Sequence, residues 1–121
     1  MERIRMIEYK GKTILLEDFS NLQPGPEFYR ELEKAVQLTR SQPPKSVLTL
    51  FDATNSQFDA GVLTALKNFV KGNTPFIKYS AVVGMKGLKQ IGLAAVSKAA
   101  GRPLELFDTR EEALDFLTGL E

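Results

Sequence analysis

Apolar residues change their spacing repeatedly along the chain, and each change marks an element. Ile4 to Tyr9 and Thr13 to Asp18 are two short β-prone runs separated by Lys10-Gly11-Lys12. Gly11 takes the positive φ of a tight turn without steric cost, so the two runs are expected to form an antiparallel hairpin. Asn21-Leu22-Gln23-Pro24-Gly25 breaks the pattern, and Pro26 suits the first turn of a helix, where its missing N–H costs nothing. Phe28, Leu32, Ala35, Val36 and Thr39 then recur at helical spacing until Pro43-Pro44 ends the run.

Val47 to Phe51 is almost continuously apolar, the mark of a strand covered on both faces by helices. Val62, Leu63, Leu66, Phe69 and Val70 form the inward stripe of a second helix, stopped at Gly72-Asn73. Phe76 to Val83 is the next strand, closed by Gly84. A third helix is expected to turn Leu88, Ile91, Ala95, Val96 and Ala99 inward before Gly101 and Pro103 stop it. Leu104 to Phe107 is a short strand. Thr109-Arg110-Glu111-Glu112 is a capping box opening a last helix with Ala113, Leu114 and Leu117 inward. The order ββαβαβαβα predicts an α/β fold in one domain, residues 1–121, with a largely parallel sheet, an antiparallel edge hairpin and helices packed on it.

This order and one stretch of sequence carry a resemblance. Ser46-Val47-Leu48-Thr49-Leu50-Phe51-Asp52-Ala53-Thr54-Asn55-Ser56-Gln57-Phe58-Asp59-Ala60-Gly61-Val62-Leu63 resembles the central signature of STAS domains, the fold of anti-sigma factor antagonists. There a buried strand ends in an aspartate, and an Asp-Ser-Ser-Gly-Leu-like turn opens the following helix. Phe107 to Leu114 is similar to that family's last strand-to-helix junction, and the likeness is nearest to its divergent SpoIIAA-like branch, which is related to Sec14-type folds. The resemblance implies a non-enzymatic regulatory module that meets a protein partner through Asp52, Thr54, Asn55, Ser56, Asp59, Ala60 and Gly61. Antagonists carry a phosphorylatable serine in this turn. Here Ala60 stands in its place and offers no hydroxyl, so the phosphoserine switch is not expected; Ser56 and Thr54 lie upstream of the matching position.

Composition narrows the chemistry. The 121 residues contain neither cysteine nor histidine, which excludes thiolate catalysis, thiolate metal sites and the commonest general base. No catalytic constellation and no cofactor motif emerges, and the expectation is that the protein is not an enzyme. The N-terminal residues have no apolar signal-like stretch and no run approaches the length of a membrane span, so a cytoplasmic protein is expected. With 16 Lys and Arg against 15 Asp and Glu, a nucleic-acid partner is not expected. That balance conceals a segregation. Between Ala60 and Leu104 there are seven cations and no acid; from Glu105 onward there are six acids and a single cation, Arg110. The basic segment suits an acidic partner or ligand, and an exposed sheet edge would permit a homodimer.

Two further clusters suggest chemistry. Gly84-Met85-Lys86-Gly87 joins a strand to a helix, and with Lys89 it would hold an anion on free N–H groups, Gly84, Lys86, Gly87 and Lys89 forming the site. The plainer reading is that the glycines only permit the turn. Glu17, Asp18 and Asp52 fall at the carboxyl ends of parallel strands, where open α/β sheets bind ligands. They would form a Mg²⁺-dependent phosphoacceptor with Lys86 as charge partner, or Asp52 and Asp59 would simply accept backbone N–H bonds, the latter capping a helix. Phe58, Phe69, Phe76, Tyr79 and Phe107 are read as core aromatics. The alternative, suggested by the Sec14 kinship, is that some line a pocket for a lipid or other small apolar or anionic ligand.

Overall fold

The structure is a computed structural model that describes residues 2–119. Five strands form one sheet in the order in which they occur in the chain: β1 (Ile4–Tyr9), β2 (Lys12–Asp18), β3 (Val47–Asp52), β4 (Ile77–Val83) and β5 (Glu105–Phe107). β1 and β2 pair antiparallel, and the remaining pairs are parallel. In the hairpin turn both Lys10 and Gly11 take positive φ, 50° and 82°, as a primed two-residue turn requires. The helices are α1 (Pro26–Arg40), α2 (Ala60–Asn73), α3 (Leu88–Ala100) and α4 (Arg110–Thr118), with one 3-10 turn at Thr74–Phe76.

The sequential strand order decides where the helices go. Crossovers of one hand, each stepping in the same direction along the sheet, place their helices on the same face. Accordingly α1, α2 and α3 cover one face, burying Leu15, Phe51 and Val82 of the strands against Phe28, Leu66, Phe69 and Val96. Phe19, fully buried, stacks on Phe51 at 4.7 Å and tilts against Phe28 at 5.0 Å. α4 follows the last strand and covers the other face, where Ala113 and Leu117 meet Ile14, Leu16, Leu50 and Val83. With layers on both sides, every residue of β3 is buried. The basic helices α2 and α3 and the acidic last helix are therefore separated by the sheet.

Three expectations need correction. The strand expected from Phe76 starts at Ile77, because Pro75 lies in the 3-10 turn; Tyr79 stays exposed rather than joining the core. More telling, α3 turns Leu93 and Val96 inward, while Leu88 and Ile91 are 86% and 69% exposed and Ala95 and Ala99 are exposed beside them. The reason is Gly92. A Cβ there would stand 2.8 Å from a Leu63 methyl, so the glycine face is the one that seats α3 against α2. Of the apolar residues read as one stripe, Val96 faces in as expected, and Leu88, Ile91, Ala95 and Ala99 face out.

Candidate functional site

Parallel pairing aligns Asp18 with Asp52, and Asp52 with Val83, along one edge of the sheet. Strand alternation then sorts the carboxylates. Asp18 and Asp52 lie on the α4 face, while Glu17 points into the opposite layer. The three acids read as one cluster are thus split between two faces.

Asp52 is 5% exposed and fully engaged. Its Oδ1 accepts from the Thr54 backbone N–H (2.9 Å) and hydroxyl (2.6 Å), and its Oδ2 accepts from Arg110 Nε at 2.6 Å. The same guanidinium reaches Asp18 Oδ1 at 3.2 Å. Asp18 also accepts from the Ser20 N–H and hydroxyl, and Arg3 braces the turn by donating to the Asp18 and Ser20 carbonyls. Burial would raise the Asp18 pKa, but the Ser20 hydrogen bonds and Arg110 outweigh it and hold the carboxyl below its ordinary value. Burial likewise pulls on Arg110, yet its two carboxylate partners raise it. One cation between two anions closes this edge as an electrostatic clasp.

Arg110 is the residue that sequence reasoning missed. Its signal was the odd charge: it is the single cation in an acidic segment, placed where the last helix must start at the carboxyl edge. Lys86, expected as charge partner of Asp52, is exposed in the β4–α3 turn. Lys89 lies nearer, its Nζ donating to the Ala53 carbonyl at 2.8 Å; desolvation lowers its pKa, and Asp52 works against that. Gly84 sits where any Cβ would fall 2.5 Å from the Thr54 backbone nitrogen, at φ 84°, so the β4–α3 turn and the Asp52–Gly61 loop are pressed together. Gly87, at φ 64°, precedes the first residue of α3.

Along the loop, the expected roles separate. Asp59 caps α2, its Oδ1 accepting from the Val62 N–H at 2.7 Å. Thr54, Asn55, Ala60 and Gly61 are exposed, and Asn55 takes φ 58°. Ser56 is buried and donates to the Ala53 carbonyl at 2.6 Å, so its hydroxyl is shut inside the turn. Beside this loop rises the exposed α3 stripe of Leu88, Ile91, Ala95 and Ala99, with Lys86 and Lys98 exposed near its two ends. No helix among the described residues is long and apolar enough to cross a membrane.

The other side of the sheet holds a second polar feature. Between the strands and α2 and α3 is a cavity of about 40 Å³, into which Glu17, Thr49, Ser80 and Arg102 project among Phe51, Leu66, Phe69, Val82, Leu93 and Val96. Thr49 Oγ1 donates to Ser80 Oγ at 2.7 Å, and Arg102 donates to Ser80 Oγ at 2.9 Å and to Thr74 Oγ1 at 3.0 Å. Glu17 is 3% exposed, and burial pushes its carboxyl from 4.5 to about 8 despite the attraction of Arg102. Compared with known proteins, the chain matches no family model, no curated protein and no solved structure.

Proposed function

We propose that this protein is a non-enzymatic regulatory binding module, similar to anti-sigma factor antagonists of the STAS type, whose partner is an acidic protein surface. The observation that carries the reading is the outward stripe of α3. Leu88, Ile91, Ala95 and Ala99 recur at spacings of three and four, so they form one continuous apolar face, and it lies open. Exposing two large aliphatic residues on one helix face is unfavourable unless something covers them. The surroundings select the occupant. The chain from Ala60 to Leu104 contains no acid, and Lys86, Lys67 and Lys98 are exposed within it, so an apolar patch with acidic flanks complements this surface.

The adjoining loop contributes Thr54, Asn55, Ala60 and Gly61 as an exposed rim, held in place from beneath by Asp52, Asp59 and Lys89. Regulation in this reading works through occupancy. Ala60 supplies no phosphate acceptor and Ser56 is buried.

A random peptide library selected on the full chain tests it, with Leu88→Glu/Ile91→Glu as counter-selection. The expected result is enrichment of peptides that combine apolar and acidic residues, bind the parent chain alone, and weaken with salt. Enrichment of basic peptides, or of peptides that bind both forms equally, would refute the reading. So would sedimentation showing that the parent chain dimerises and the variant does not, which would make the face a homodimer contact.

A further inference from the structure

The cavity beneath α2 and α3 has the features of a built site. Glu17 lies deep within it, nine-tenths buried and more, and no hydrogen bond reaches its carboxyl among the described residues. Fold stability alone favours an apolar residue here, since a carboxyl buried without partners carries its full desolvation penalty. Arg102 presents a complementary imbalance. Ser80 and Thr74 fix the guanidinium in direction, yet among the described residues they take only two of its five donors and no carboxylate pairs with it. The entrance is also legible. Of the residues around the cavity, all are buried except Arg102 and Leu104, which are half-buried. Both follow α3, so the mouth opens at the amino edge of the parallel strands, at the opposite end from the Asp52–Arg110 clasp.

We propose that this cavity binds a short-chain monocarboxylate, its carboxylate held between the Arg102 guanidinium and the Glu17 carboxyl and its alkyl end against Leu66, Phe69, Leu93 and Val96. The sign of the charge follows from the two polar groups. A guanidinium without a carboxylate partner repels an ammonium and attracts an anion, with donors disposed for a planar, two-oxygen group. A protonated Glu17 donates its O–H to that same anion, and its raised pKa keeps it protonated at neutral pH. The size of the ligand follows from the volume. A cavity of about 40 Å³ holds roughly three water-sized groups, which matches a carboxylate carrying a single methyl, acetate in size, and excludes a longer acyl chain. This site is independent of the α3 docking face, which lies on the outer side of that helix.

Titration of the full chain with sodium acetate, ethanol and ethylamine at neutral pH, followed by amide NMR, tests the assignment. Acetate is expected to bind saturably with a Kd on the order of 1 mM, shifting the amides of Phe69, Val82 and Leu93, and at least about tenfold more tightly than either control. Equal binding of ethanol would reduce the cavity to an apolar void and overturn the proposal, as would a preference for ethylamine. Shifts confined to the surface around Lys86, or no saturable shift, would overturn it too. Arg102→Met should weaken acetate about tenfold, whereas Glu17→Gln, which keeps a donor, should retain it. Since the comparison of the three ligands uses the parent chain, it stands even if Arg102→Met fails to fold.

Discussion

Asp52 and Glu17 sit on neighbouring strands, 5% and 3% exposed, and meet burial in opposite ways. Asp52 receives a backbone N–H, a hydroxyl and a guanidinium, so its charge is fully solvated by the protein. Glu17, on the other face, receives no hydrogen bond among the described residues and meets Arg102 only through the space of the cavity. A buried carboxylate with partners stays a charge and ties elements together. A buried carboxyl without them holds its proton and stands ready for an incoming group. One residue is built for the fold, the other at the expense of the fold.

The largest test of this contrast is pH. Glu17 titrates at about 8 in the folded chain against 4.5 ordinarily, so between those values the folded state holds a proton that the unfolded chain releases. Stability therefore falls as pH rises through this window and levels off above it, by roughly 3–5 kcal/mol from this group. Glu17→Gln should flatten the profile in urea titrations and be more stable than the parent above about pH 8. A variant that tracks the parent across the window would break the contrast. Next in size, Asp52→Ala should cost roughly 2–3 kcal/mol at neutral pH, short of a fully buried pair because Arg110 is 38% exposed. In a double-mutant cycle with Arg110→Met, additive losses would show that the clasp is not one unit.

Asp59→Ala should cost about 1 kcal/mol, the value of one helix cap, measurable as a lower denaturation midpoint without a new pH slope. At the bottom of the scale stands Asp115. It accepts from Lys10 at 2.8 Å and from Tyr9 at 3.1 Å, which lower its pKa, but it lies in open solvent. Asp115→Asn should leave the midpoint unchanged; a clear loss would mean that solvent exposure is not what separates strong from weak carboxylates here.

Much of the architecture was written in periodicity. The hairpin, the apolar β3, the proline-led α1 and the Asp59 and Thr109 caps follow from local rules, and the Thr109 hydroxyl accepts from the Glu112 N–H as expected. What escaped depends on distant groups. Glu17 was placed with Asp18 by position along the chain, although strand alternation, which puts it with Leu15 and Phe19, already turned it inward. The inner face of α3 is legible only at Val96, because a glycine adds nothing to a hydrophobic stripe, yet a Cβ at Gly92 would stand 2.8 Å from Leu63 of α2. The cavity had a faint trace, Thr49 and Ser80 in register within otherwise apolar strands. Arg102 had none, since only the return of the α3–β5 loop brings it there.

Because the strands lie in the sheet in the order of the chain, each new strand adds to an edge already formed and none has to be inserted between two others. Such a sheet can be laid down progressively, through pairings between neighbours in sequence, which favours rapid folding. Arg110 stands outside that economy of short loops. It closes on Asp52 across 58 residues, from the last of the described helices. Asp52 has no guanidinium partner until α4 docks, and the clasp is then a latch that ties the last of the described helices to the ends of β2 and β3.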